Sequence, residues 1–313
     1  MKLPIHLLPL RIQMWRQDHP KIVTTYHDLR VPYLFPKAGR LRWWAVLALA
    51  RWSDAVIVTN ADDKARLQSF DFVDQIAQIP IGSNIAPNAP ENYERDAWRA
   101  RWDVGSDDIL LAYFGFLNES KGAETLIRTV ARLAHEGQPI KLLMVGGKVG
   151  SSDPSNLAYV ERIDQLIDML GIADHVLSTG YIPATEVSAN LLAADICVLP
   201  YRDGVSLRRG TFMAAIAHGL PVVSTRYPVA KKHIPNPAER WHPAELKGGS
   251  NILLVPPDDE EVLADAIARL IASPRLRQHL GEEAKALSAR FSWPQIAQQT
   301  LELFREIDVV EQD

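Results

Sequence analysis

Three cationic side chains, Lys121 and the adjacent pair Arg208 and Arg209, carry the chemistry most open to reading in this chain. Lys121 follows the apolar run "ILLAYFGF" and the polar step "LNES". The two arginines follow "DICVLPY" and stand directly before Gly210, Thr211 and the apolar pattern "FMAAIA", in which Phe212, Met213, Ile216 and Ala217 are spaced like one face of a helix. The first amides of a helix have no partner within it and carry a partial positive charge, so arginines beside such a start form a cradle for an anion. If the apolar runs are neighbouring strands of one sheet, Lys121 joins the arginines at the strand ends, and the three suit two phosphates in a row.

Other chemistries are poorly supported. The chain has no Asp-x-Asp pair, and its nine histidines show neither metal-ligand spacing nor companion cysteines, so a metal-bridged diphosphate is disfavoured. It lacks the Gly-x-x-x-x-Gly-Lys-Ser/Thr loop and a Gly-x-Gly-x-x-Gly after its first strands, which weakens kinase, ATPase and dehydrogenase readings. A net charge of -4 argues against broad nucleic-acid binding. The single cysteine, Cys197, sits inside an apolar run as a buried strand residue and suits a reducing cytosol. No apolar stretch reaches the roughly 20 residues of a spanning helix, and Pro4 and Pro9 make the first fifteen residues a poor signal peptide.

The elements that position these residues alternate. From Asp108 onward, β-branched apolar runs ("ILLAYFGF", "IKLLMVGG", "HVLSTGYI", "DICVLPY", "VVST", "NILLVPP") are interleaved with helical patterns, as in a parallel sheet covered by helices on both faces. Ligands of such sheets bind beyond the carboxyl ends of the strands. The first half is thinner, with strands in "PKIVTTYHD", "SDAVIVTN" and "DQIAQIPIGSN" and helices in "RLRWWAVLALARW" and "DDKARLQSF". The stretch "RLRWWAVLALARW" reads as a helix packed on the core, with a membrane-surface contact through Trp43, Trp44 and its arginines as the alternative. "SWPQIAQQTLELFREI" predicts a terminal helix with Ser292 as its N-cap, Pro294 near the first turn and apolar Ile296, Leu301, Leu303 and Phe304 behind them, free to pack back across the first domain. The expected domains are residues 1–90, a linker over 91–107, residues 108–290, and a returning helix over 291–313.

The order and spacing of "FGFLNESKGAETLI", "LLMVGG", "LSTGYIPATEVSANLLAADICVLPY", "GTFMAAIAHGLPVVST" and "NILLVPPDDEEVLADAIARLI" resemble the donor domain of the GT-B glycosyltransferases of family four, over nearly all of residues 108–305. "VTTYHDL", "SDAVIVTN" and "IPIGSN" resemble the later part of that family's acceptor domain. The resemblance implies an α/β protein of GT-B type, with two Rossmann-like domains facing across a cleft, the N-terminal one incomplete. It also implies a cytoplasmic, metal-independent, retaining transfer from a nucleotide-diphosphate sugar, with no cofactor, to a saccharide or lipid-linked acceptor at or near the inner face of a membrane.

By the same resemblance Lys121 binds the donor diphosphate and His27, after "KIVTTY", approaches the donor sugar, so that His27, Lys121 and Arg209 are the expected catalytic residues. The expected donor-binding positions are Gly115 and Phe116; Gly146 and Gly147; Tyr181 and Ile182; and Asp203, Ser206, Arg208, Arg209, Gly210 and Thr211, with Lys121. The chain departs from the family at three places. Phe116 stands where a companion arginine is usual, and Ser206 and Ala214 stand where the EX7E motif has its glutamates. Arg208 and Arg209 are expected to supply the missing cation, Ser206 and Asp203 to take over sugar hydroxyls. The family's first strand and glycine-rich loop are also missing, which leaves three readings: a fragment, a partner chain that completes the first sheet, or a remodelled acceptor side. A three-stranded remnant would leave an edge and an apolar face uncovered. A non-catalytic sugar-nucleotide-binding protein and an epimerase of the same fold are the alternative functions.

Overall fold

The computed structural model describes residues 20–27, 29, 39–71, 75–147, 154–227 and 245–309. The chain divides into two compact units, residues 1–82 with 292–313 and residues 83–291.

In the first unit the strands β1 (Val23–Tyr26), β2 (Ala55–Val58) and β3 (Ile76–Gln78) form a parallel sheet with β2 in the centre. Helix α1 (Gly39–Arg51) connects β1 to β2, and α2 (Ala61–Gln68) connects β2 to β3. The side chain of Asn60 caps α2 by accepting from the amide of Asp63 at 2.8 Å. Because side chains alternate along a strand, Val56 and Val58 pack with Tyr26, Ala50 and Leu67 on one face, while Ala55 and Ile57 point to the other. The Tyr26 hydroxyl, at the end of β1, donates to the carbonyl of Val46 in α1 at 2.6 Å.

The second unit carries six parallel strands, β4 (Ile109–Phe114), β5 (Ile140–Val145), β6 (Val176–Ser178), β7 (Ile196–Leu199), β8 (Val222–Thr225) and β9 (Leu253–Val255), in the order β6-β5-β4-β7-β8-β9. The strands are apolar over most of their length because both faces are covered, and one continuous core runs through the unit. The covering helices are α3 (Arg95–Ala100), α4 (Ala123–His135), α5 (Pro154–Met169), α6 (Ala184–Ala193), α7 (Gly210–Ala217), α8 (Glu260–Ala272) and α9 (Pro274–Ala289). Cys197 lies fully buried in β7, where burial pushes its thiol up to about 12.

The stretch 91–107, expected as a linker, is built into this unit. Its α3 packs against α6, and Trp98 and Trp102 both donate to the Asn190 side chain, at 3.0 and 2.8 Å. Arg99 is buried and donates to the carbonyls of Ala193, Gly105 and Asp108 and to Asp195, whose carboxylate also accepts from the Leu110 amide. A fully paired guanidinium ties α3, α6 and the start of β4 together, and loss of one partner of such a pair typically costs about 3–5 kcal/mol.

The last helix, α10 (Trp293–Val309), belongs to the first unit. Its Ile296, Leu303 and Ile307 pack on Ala55, Ile57 and Ile79, so the second face of the three-stranded sheet is covered. The expectation of an uncovered apolar face is corrected on this point; of the helix's apolar residues Leu301 and Phe304 are exposed, because the 3.6-residue repeat turns Ile307, not these two, onto the sheet. In α1, Trp44 is exposed, whereas the side chain of Trp43 lies outside the described residues. No helix among the described residues is long and apolar enough to cross a membrane.

Candidate functional site

The strand order of the second unit reverses between β4 and β7, the first leading outward to β5 and β6 and the second to β8 and β9. A parallel sheet opens a crevice at such a switch point, beyond the carboxyl ends of the two strands. Residues 115–122 leave β4 there, and residues 200–211 leave β7.

Gly122 brings the two loops together. It has φ +68°, and a methyl group on its α-carbon would lie 1.9 Å from the carbonyl oxygen of Pro200, so only glycine lets the backbone after Lys121 pass this close to the end of β7. The amide of Arg202 donates to the Ser120 carbonyl at 2.9 Å and fastens the loops a second time. At Gly115, with φ +125°, a methyl group would stand 2.9 Å from both Lys121 Nζ and Thr211 Cγ2. The absent side chain leaves room for the ammonium group and the first turn of α7 to meet over the tip of β4. Gly146, at the tip of β5, approaches the same point from the other side, its amide donating to Thr179 Oγ1 at 2.9 Å.

Lys121 and Arg209 are the two cations of this cluster. Burial, and then the charge of Arg209, lower the Lys121 ammonium from its ordinary value to about 8. The Nζ atom lies 6.0 Å from the centre of the Phe116 ring, which is partly exposed. Arg209 lies over the Tyr201 ring, its guanidinium carbon 3.9 Å from the ring centre, and forms an ion pair with Asp203. Tyr201 is fully buried, and its hydroxyl shares a 2.7 Å hydrogen bond with Thr211 Oγ1. The same residue therefore supports the guanidinium plane and fixes the rotamer of the threonine that opens α7. Arg209 is the N-cap of α7 with extended backbone and no capping side-chain bond, while Gly210 is exposed. The helix start thus faces outward beside two cations, an arrangement suited to an anion.

Of the residues expected to bind the donor, Gly115, Lys121, Arg209, Gly210 and Thr211 gather here, with Gly146 adjoining and Gly147 beside it. Arg208 is half-buried on the same loop, but Arg209 is the arginine whose charge Lys121 feels. Ser206 contributes its carbonyl to the Arg209 amide at 3.1 Å. Asp203, expected to take sugar hydroxyls, instead holds Arg209. Ile182 packs against the core, whereas Tyr181 is almost fully exposed. Ala214 is buried within α7, and Phe212, Met213, Ala215 and Ile216 are buried with it, so the helix is enclosed on more than the single face its spacing implies. His27, in the first unit, follows β1, is exposed, and accepts at its carbonyl from Thr59 Oγ1 at 3.2 Å.

Sequence reasoning missed Tyr201 and Gly122. The signals were present, an aromatic residue with a polar tip at the end of an apolar run and a glycine opening a helix, but the partners of both become visible only in three dimensions. Nearby, a hollow of about 290 Å³ lies on the other side of the 119–122 turn, lined in part by Glu119, Tyr159, Arg202 and Asp258. Its arginines, Arg128 and Arg202, are outnumbered by Glu119, Glu124, Asp258 and Glu260, with Arg202 3.5 Å from Glu119 and 2.9 Å from Asp258. The Lys121 cluster, where Asp203 offsets Arg209 but Lys121 adds a second cation, is the positive end of the two. Among the described residues no three His, Cys, Asp or Glu side chains gather as metal ligands.

Known proteins resemble this chain in sequence and in fold. The chain is 28% identical over 260 residues to a D-inositol 3-phosphate glycosyltransferase of Corynebacterium jeikeium, covering 80% of this chain and 57% of the relative. It is 26% identical to a GDP-mannose-dependent alpha-(1-6)-phosphatidylinositol monomannoside mannosyltransferase of Mycolicibacterium smegmatis, covering 76% and 60%. The chain thus spans little more than half the length of these curated relatives. Among solved structures, the sucrose-phosphate synthase of Thermosynechococcus elongatus superposes with a TM-score of 0.69 at 26% identity, over 96% of this chain and 71% of that one. Anabaena HepE in complex with UDP gives 0.74 at 20% identity, over 97% and 75%. The family described as "Glycosyl transferases group 1" matches residues 94–287, more than half of the chain. The chain belongs to that family, and its fold is that of the GT-B glycosyltransferases.

Proposed function

We propose that this protein transfers a sugar from a nucleotide-diphosphate sugar to an acceptor hydroxyl, with retention at the anomeric carbon and without a metal held by the protein. One observation carries the reading: the Lys121 ammonium and Thr211 of α7 meet over Gly115, with the charge of Arg209 felt at Lys121, beside the uncapped start of α7 and at the switch point of the sheet. When the bond between the anomeric carbon and the diphosphate breaks, the electron pair moves to the departing phosphate oxygen. Two cations and outward-facing amides stabilise that growing charge more than they stabilise the ground state. The acceptor oxygen then bonds to the anomeric carbon from the same face, and its proton passes to the departing phosphate. The resemblance assigns His27 a place near the donor sugar and residues 108–290 the donor-binding role.

The test is calorimetric titration with UDP, which the Anabaena structure holds, and GDP, which the Mycolicibacterium relative's name specifies. Lys121→Ala and Arg209→Ala are each expected to weaken the better nucleotide about 10- to 100-fold, the value of one charged hydrogen bond. Unchanged affinity in both variants overturns the assignment. Transfer should persist in EDTA. Polyol phosphates and lipid-linked polyols, the acceptor types in the relatives' names, form the first acceptor panel.

Ser206 and the buried Ala214 favour a second reading, a protein that binds the sugar nucleotide without turning it over. Nucleotide binding with neither transfer nor donor hydrolysis across that panel would establish it.

A further inference from the structure

Asp203 stands out because it supplies the wrong charge in the right place. A site for a diphosphate gains from every cation it can direct at the phosphates, yet Arg209 is already engaged by a carboxylate six residues earlier on the same loop. That carboxylate is half-exposed, while the guanidinium is largely covered by Tyr201 beneath it. The ion pair therefore has one anchored member and one that can turn to solvent. The loop geometry supports the same asymmetry. The Arg209 amide is held by Ser206 and its carbonyl receives the Met213 amide of α7, whereas Asp203 sits where the chain has just left β7.

We propose that Asp203 is an internal counter-ion of the anion site, displaced from Arg209 when phosphate groups bind, and that it sets how much negative charge a ligand must carry to be held. The inference rests on the reading of the Lys121–Arg209 cluster as the diphosphate site. A singly charged phosphate ester gains little by replacing a carboxylate that is already in place. A diphosphate can engage Lys121 and Arg209 together and so overcome the exchange. Asp203 acts through Arg209 as a specificity-setting residue, not as a group that touches the reacting carbon.

The experiment titrates the full chain and its Asp203→Asn variant with UDP, UMP, uridine and inorganic pyrophosphate. Asparagine keeps the size and one acceptor oxygen but removes the charge. Removal of one like charge beside a bound polyanion is worth about tenfold at the separations of a partly buried site. UDP and pyrophosphate are therefore expected to bind about tenfold tighter to the variant, UMP is expected to gain less because it regains only the Arg209 contact that did not outweigh the exchange, and uridine should not change. A role in merely shaping the loop would move uridine as well. Asp203→Glu restores the charge and is expected to return the affinities toward wild type.

Weaker or unchanged UDP binding in Asp203→Asn overturns the counter-ion role even where Lys121→Ala and Arg209→Ala confirm the nucleotide site. Conversely, if pyrophosphate tightens in the variant while UDP and GDP bind no better than pyrophosphate in either form, the counter-ion stands and the nucleotide-sugar reading falls. Absence of any anion binding in both forms defeats both.

Discussion

The two sheets solve one problem with different means. In the six-stranded unit each helix that covers a strand comes from the same stretch of chain, so core, cover and strand tips arise from residues 83–291 alone. In the three-stranded unit one face of β2 is closed by nearby α1 and α2, and the other by α10, which arrives from more than two hundred residues later. A small parallel sheet buried on both faces cannot be completed by its own crossovers when they lie on one side. The lesson is that the smaller unit depends on chain closure over a long distance, while the larger one does not.

The largest expected effect attacks that dependence. Leu303→Ala together with Ile307→Ala should remove about 4–8 kcal/mol from the smaller unit, by the usual cost of large-to-small core changes. Chemical denaturation monitored by Trp fluorescence should then split into two transitions, with UDP shifting only the later one. A single transition that moves as a whole would show that the units unfold together and break the comparison.

Next comes Gly122→Ala in the larger unit. A methyl group 1.9 Å from the Pro200 oxygen, on a residue with positive φ, cannot be absorbed without moving the 119–122 turn. A loss of about 2–4 kcal/mol is expected, with nucleotide binding falling alongside it. If affinity survives, Lys121 does not take its position from this turn.

The third effect follows pH. Lys121 is lowered to about 8 in the folded chain from an ordinary value of 10.5, so between these two values the unfolded chain binds more protons than the folded one. Its contribution is therefore unfavourable below pH 8 and is relieved as pH rises toward 10.5. Lys121→Met should stabilise the larger unit at pH 7 by about 1–3 kcal/mol, and the gain should vanish near pH 10. Diphosphate affinity should move oppositely, falling as pH rises through 8, because deprotonation removes the charge that holds the anion. A flat affinity profile from pH 7 to 9 would remove Lys121 from the site.

The smallest effect is the finest probe of local order. Tyr201→Phe keeps the ring beneath Arg209 and removes the hydroxyl bond to Thr211, and a two- to fivefold loss of UDP affinity is expected from a neutral hydrogen bond worth about 0.5–1 kcal/mol. With Thr211→Val the two losses should not add, since each removes the same bond. Full additivity would mean that the hydroxyl does not act through Thr211.

Much of the larger unit was legible because buried parallel strands are short, nearly unbroken apolar runs and the helices between them are amphipathic. The cationic cluster was legible for a related reason: strand order converts distant loops into neighbours, so Lys121 and Arg209 could be paired before any coordinates. Residues 91–107 were misread because charges dominate the local composition, while the hydrogen-bond partner of Trp98, Asn190, is far away in sequence. In α10 the apolar residues alone left the inward face ambiguous, and packing on Ile57 chose Leu303 and Ile307 over Leu301 and Phe304. Asp203 was assigned to sugar hydroxyls because nothing in a linear sequence reveals that a carboxylate will turn back onto an arginine of its own loop.

The state of Cys197 has a practical side. As the chain's one thiol, enclosed in β7 and held in its protonated form, it should ignore maleimide and iodoacetamide while the larger unit stays folded. A cysteine placed at the solvent-facing Tyr181 would then be the sole labelling point. One fluorophore there would sit at the strand-tip edge of the larger unit, ready to report ligand arrival in real time without prior removal of the native cysteine.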